Sequence, residues 1–127
     1  MSFSNYIENK ILDAMLRFTT TGGGFPTASP YVSLHTGDPG ETGANEATGG
    51  SYARQQAAFN AASNGVAVNT AAISFTLMPA ATITYIGLWD AVTSGNFLWG
   101  GAFTASQAVL VGNTVSIAAG AVSVTQT

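Results

Sequence analysis

Residues 82–103 read TITYIGLWDAVTSGNFLWGGAF, and the spacing of their apolar side chains decides the fold. In an extended chain successive side chains point to opposite faces. Ile83, Tyr85 and Trp89 then share one face, and Ile86 and Leu88 the other. A stretch apolar on both faces predicts a central strand, or one covered on its outer side as well. Ser94-Gly95-Asn96 is a turn signal, so the chain from Phe97 onward is expected to return as the second arm of a hairpin. Tyr85, Trp89, Phe97, Trp99 and Phe103 gather around that hairpin. Aromatic residues at β spacing read first as core, and second as a surface for a glycan.

The same period of two extends outward in both directions. YVSLHT turns Val32 and Leu34 inward, and AISFTL aligns Ile73, Phe75 and Leu77 on one face. NTVSIA and AVSVTQ do the same with Val115 and Ile117 and with Val122 and Val124. Asn64-Gly65 and Gly112-Asn113 mark further hairpin turns. Roughly seven or eight short strands at this spacing predict a mainly all-β domain, a jelly-roll-like sandwich or a small barrel. Only the start of the chain departs from this pattern. Over 3–17, Ile7, Ile11, Leu12 and Met15 recur at helical spacing, with Phe18 continuing the stripe. Asn5 and Glu8 stand at capping-box separation, and Arg17 suits the C-terminal end of the helix dipole. TTTGGGFPTASP then ends the helix. One domain over 1–127 is expected, with the helix at 3–17 and the β core at 31–127.

Composition narrows the function. Of the 127 residues, 7% are charged and the net charge is −3, against about 25% charged in a typical soluble domain. After Arg54 the only formal charge is Asp90. A surface so poor in charge has two readings: a β-rich domain with a neutral polar surface, or, more sharply, a subunit covered by copies of itself or by a larger assembly. Three basic residues do not make the basic stripe that a nucleic acid requires. No apolar run approaches the ~20 residues of a membrane span. Glu8, Lys10 and Asp13 interrupt the place where a signal peptide would carry its apolar segment. No cysteine is present, which excludes disulfides and thiolate metal sites and suits assembly in a reducing cytoplasm.

The stretch LHTGDPGETGANEATGGSYAR, residues 34–54, gathers Asp38, Glu41, Asn45 and Glu46 and so poses the question of chemistry. Its spacing breaks the alternating oxygen ligands of an EF-hand at Pro39 and Gly40. A zinc site would have to use His35, the sole histidine, with carboxylates alone. No G-x-S-x-G nucleophile elbow accompanies that histidine, and no glycine-rich stretch carries a phosphate-binding lysine. His35 is expected to be structural, and no catalytic residue, metal or cofactor is predicted. Asp38-Pro39-Gly40 reads as a turn, in which Asp bonds its own backbone, Pro presets φ and Gly permits positive φ. The loop is expected to serve contact.

Four segments in order, SNYIENKILDAML, YVSLHTGDPGETG, GGSYARQ and YIGLWDAVTSGNFLWGGAF, resemble a family of small tailed-phage structural proteins. The resemblance covers nearly the whole chain. Members are often labelled tail-fibre proteins, and similar small β-proteins serve as capsid cement, or decoration, proteins that sit as oligomers, often trimers, on the head lattice. The resemblance implies a virion protein assembled in the host cytoplasm. Compactness and missing charge favour a non-enzymatic cement protein on the outer capsid surface, a homotrimer bridging copies of the major capsid protein. The alternative is a tail-fibre or tail-tip protein acting in host attachment. Contact is expected from Tyr6, Ile7, Ile11 and Met15 on the helix, and from Asp38, Pro39, Glu41, Asn45 and Glu46 in the loop. Arg54 and Trp99 complete the expected contact set.

Overall fold

The nine-residue strand β5 (Ala81–Trp89) organises the molecule, pairing antiparallel with β1 (Tyr31–His35) on one side and with β6 (Phe97–Val109) on the other. β2 (Gln55–Gln56) extends the sheet beyond β1, giving the order β2-β1-β5-β6. This computed structural model describes residues 3–7, 30–60 and 66–125. The two-faced apolar pattern of residues 83–89 has the predicted outcome. Ile83, Ile86, Leu88 and Trp89 are all buried, so the strand is covered on both faces.

Four further short strands form two ribbons outside this sheet. β3 (Val66–Val68) pairs with β8 (Ser123–Thr125), and β4 (Ile73–Phe75) with β7 (Val115–Ile117). The pairs nest: β5–β6 innermost, β4–β7 around it, β3–β8 outermost. This is the connectivity of a long hairpin wound back on itself, as in a jelly roll, but the pairs lie in separate sheets. The fold is all-β, and among the described residues no sheet closes into a barrel. Of the two architectures expected, the barrel is therefore set aside.

The pairing is interrupted where it matters. Between Ile83 and Tyr85, β6 advances from Gln107 to Ala102, so residues 103–106 stand opposite Thr84 alone. A bulge of this kind breaks up a long edge strand that would otherwise be a template for another chain. The Thr84 hydroxyl is buried there without a hydrogen-bond partner.

Several sequence expectations are corrected. β4 ends at Phe75; Leu77 does not continue its inward face but sits 58% exposed at φ 51°. Of the GGSYARQ segment only Gln55 lies in a strand, the two-residue β2. The helix expected over 3–17 is described at Asn5–Ile7, and Ile11, Met15 and the Asn64-Gly65 turn lie outside the described residues. Its cap is Ser4, not Asn5. The Ser4 hydroxyl accepts from the Ile7 amide at 3.4 Å and donates to the Phe97 carbonyl at 2.7 Å, which satisfies an end amide and ties the segment to β6 at once.

Phe3 bridges to Trp99, which is 6% exposed and belongs to the main core with Val32, Leu34, Ile86 and Leu88. Trp99 was expected at an interface; within this chain it is core. Gly101 lies against its ring so closely that a Cβ there would overlap it. Removing a large buried aromatic costs about 3–5 kcal/mol, a large share of the ~5–15 kcal/mol that holds a domain folded. Trp99→Ala is therefore expected to lower the urea midpoint sharply; an unchanged midpoint would contradict this packing.

Candidate functional site

The acidic stretch that raised the question of chemistry folds back onto β1 and β5 through residues of three segments. Asp38-Pro39-Gly40 makes the expected turn: the Asp38 carboxylate accepts from the Gly40 amide at 2.9 Å, and Gly40 has φ 58°. Pro39 is fully buried, and its carbonyl accepts from the amides of Gly43 and Ala44, each at 3.0 Å. Asn45 takes positive φ, 64°, which Asn tolerates better than most residues. Its side-chain amide donates to the Asp38 carbonyl at 3.0 Å. Glu41 reaches the N-terminal segment and accepts from the Asn5 amide at 2.6 Å.

Glu46 and Arg54 form the centre. Arg54 Nε donates to Glu46 Oε2 at 2.9 Å and Nη2 to Oε1 at 2.8 Å, a two-pronged pair. Its Nη1 donates to the Ala91 carbonyl at 3.0 Å and the Ser94 carbonyl at 2.8 Å, in the loop between β5 and β6. The guanidinium lies 3.7 Å from the centre of the Trp89 ring, a placement worth about 0.5–2 kcal/mol. Tyr52 donates from its hydroxyl to Glu46 Oε2 at 2.8 Å and accepts from the Leu34 amide at 3.0 Å. Its ring stacks on Phe75 with centroids 6.1 Å apart.

A second chain of bonds runs beneath. Trp89 Nε1 donates to Ser33 Oγ at 3.0 Å, and Ser33 Oγ lies 2.7 Å from His35 Nε2. His35 Nδ1 lies 2.7 Å from the Ala44 carbonyl. A carbonyl only accepts, so the proton is on Nδ1; Nε2 then accepts from Ser33, whose oxygen accepts from Trp89. Every donor has one acceptor with His35 neutral. The serine–histidine contact has the look of a nucleophile pair, but both residues are fully buried. Gly87 stands opposite Ser33, and a Cβ there would come within 2.6 Å of Ser33 Oγ and 2.8 Å of His35 Nε2. The pair is enclosed, and through the Ala44 carbonyl His35 ties β1 to the loop.

Burial pushes the Glu46 carboxyl up, but the hydrogen bonds from Arg54 and Tyr52 and the charge of Arg54 overcome it, leaving it below the usual carboxylate range. Burial holds the His35 imidazole below its ordinary value, against the opposing pull of the Ala44 carbonyl and Glu46. Burial first, then the Glu46 carboxylate, pushes the Tyr52 phenol far above its ordinary value. Thus Glu46 is charged, and His35 and Tyr52 neutral, at pH 7.

Beside Arg54 lies an open groove of about 360 Å³, bordered by Glu46, Thr48, Tyr52, Val92 and Ser94. Its cation is already engaged by one carboxylate and two carbonyls. Among the described residues no three of His, Asp and Glu gather as a metal-binding group, and no helix is long and apolar enough to cross a membrane.

Of the expected contact residues, Glu46 and Arg54 are joined to each other, with exposures of 20% and 9%. Asp38, Glu41 and Asn45 are exposed, while Pro39 and Ile7 are buried and Tyr6 half-buried. Ser33, Tyr52 and Trp89 are the residues that sequence reasoning missed here. A signal existed for two: Ser33 and His35, and Tyr52 and Arg54, are each two apart in extended chain and so share a face.

The family described as podophage GP4 fiber I protein gp80 matches residues 2–125. The chain belongs to this family. It is thus a phage structural protein and a virion component, as the four sequence segments implied. The family description names a fibre and so favours the tail-fibre alternative over capsid cement. Comparison with curated proteins gives no match.

Arg54→Ala would strand Glu46 and uncover Trp89. The expected cost is about 2–3 kcal/mol, less than the ~3–5 kcal/mol of a fully buried pair because Glu46 keeps 20% exposure; a loss below about 0.5 kcal/mol would be that of a surface pair. The pH dependence has a defined sign. His35 and Glu46 both bind protons more readily unfolded than folded, so their contributions are present at pH 7 and lost on acidification. Denaturation at a series of pH values should show stability falling below about 6.5 as unfolded His35 protonates, and again below about 4.3 as Glu46 does. The second fall should be reduced in Glu46→Gln. Stability that rises on acidification from pH 7 would contradict the assignment.

Proposed function

We propose that the protein is a non-enzymatic structural subunit of a podophage tail fibre, working as a homo-oligomer, with a trimer as the expected form. The observation that carries this reading is the distribution of charge. Asp90 is the only charged residue after Arg54, and its carboxylate accepts from the Asn96 amide at 2.7 Å and the Asn96 side chain at 2.8 Å. The one carboxylate in the second half of the chain is thus turned to closing a loop. Neutral Ala, Thr, Ser and Gly surface suits burial against neighbouring subunits, where charge at the centre of an interface is depleted.

The loop chemistry supports the same reading. Glu46, Arg54, Tyr52, His35 and Ser33 are all engaged within the chain, holding a loop rather than a substrate. Capsid cement, with the major capsid protein as partner and the outer head as location, is the reading that gives way, because the family description specifies a fibre. A role in host attachment would draw on exposed parts such as the groove beside Tyr52 and Val92, since Trp99 is enclosed.

Labelling intact particles with an antibody to this chain, viewed by electron microscopy, tests the location. Label on fibres at the tail is expected. Label spread over the head shell would overturn the fibre reading in favour of cement.

A further inference from the structure

We propose that the tip carrying Leu77, Leu110 and Val111 is a contact face for a second copy of this chain. The inference rests on the reading that the neutral surface is covered by copies, and it says where one such contact lies. These residues are 58%, 70% and 79% exposed, and with Val92 they are the large apolar side chains left open among the described residues.

Backbone bonds bring the three together. The Met78 amide donates to the Asn113 carbonyl at 3.0 Å, and the Gly112 amide donates back to the Met78 carbonyl at 2.8 Å. Leu77 precedes Met78, and Leu110-Val111 precede Gly112, so the residue pair 77–78 and the turn 110–113 form one tip beyond the β4–β7 ribbon. The turn is closed by the Asn113 amide on the Leu110 carbonyl at 3.1 Å, and the Leu77 carbonyl accepts from Ser51 at 3.2 Å. Leu77 holds φ 51°, in a region that leucine rarely adopts. That backbone ends the inward run of β4 and leaves an apolar side chain in water. Strain of this kind persists where the surrounding structure imposes it, and it clusters at functional positions.

The character of the surface selects the partner. Copies related by a rotation axis bring the same residues near one another, and like charges there would repel. Leu77, Leu110 and Val111 are bordered by Thr76, Pro79, Asn113 and Thr114, and no formal charge occurs between residues 91 and 127 or between 55 and 89. Such a face has nothing with which to steer or orient an unlike, charged partner, and it meets its own copy without penalty. Three large side chains at these exposures offer on the order of 300 Å², the size at which an apolar patch is often functional. A stable interface buries about 800 Å² per partner, so they form its centre and the neutral border its rim.

The test is the mass of the full chain in solution, by light scattering and sedimentation over a concentration series. The wild type is expected to be oligomeric, and Leu110→Lys/Val111→Lys to dissociate, with the dissociation constant raised at least tenfold. Leu110→Gln/Val111→Ser is the milder pair, to be read if the lysines impair folding as judged by circular dichroism. Thr42→Lys, at an exposed position beside Gly43, which packs on Trp89 at the end of β5 opposite the tip, is expected to remain associated. A wild type that stays monomeric to its solubility limit would overturn the proposal, as would folded tip variants that associate as the wild type does. Either result leaves the location of the protein on the particle standing, since antibody labelling determines that separately.

Discussion

Trp89 is the surface on which the sheet and its longest described loop meet. The indole takes the Arg54 guanidinium on its face, and Gly43 packs so closely on its ring that only a residue without a side chain fits there. Phe97 meets it edge-on with centroids 5.2 Å apart, and the indole N–H of Trp89 donates to Ser33 in the neighbouring strand. Arg54 is held over the ring by Glu46, Ala91 and Ser94, so one cation ties the loop, the chain before β2 and the β5–β6 turn together. Without the indole, the guanidinium loses its stacking partner and the Ser33–His35 chain loses its first donor.

That arrangement answers what the carboxylates of residues 38–46 do. Each takes a separate local duty. Asp38 closes its own turn, Glu41 receives an amide of the N-terminal segment, and Glu46 accepts three bonds from Arg54 and Tyr52. The low proton affinity of Glu46 follows from the bonds of Arg54 and Tyr52, which overcome its burial, whereas the neutral state of His35 follows from burial.

The β character of the chain was legible because period-two burial is a local property. Val32, Leu34, Ile73, Phe75, Val115, Ile117 and Val122 lie inward as their alternation predicts. The Asp38-Pro39-Gly40 turn was legible for the same reason, since its chemistry lies within three residues. Leu77 was misread because alternation says nothing about a backbone that turns to positive φ. Trp99 lies in the core, the first of the two readings its β spacing offered, and the backbone bridge it makes with Phe3 was not legible because that partner comes from the far end of the chain. The Arg54 brace was not legible, as its partners lie 8, 37 and 40 residues away. Ser33 and His35 break the rule that one face of a strand is wet, because the loop covers that face.

The central claim is that the loop of residues 36–47 is an internal brace and not a flexible or ligand-dependent site. Hydrogen exchange at single-residue resolution tests it most directly. The amides of Thr36, Gly43, Ala44 and Ala47 donate to carbonyls within the chain, and they are predicted to exchange as slowly as those of β1, with no change on adding calcium. Exchange at the free-peptide rate, or protection that appears only with calcium, would contradict the account.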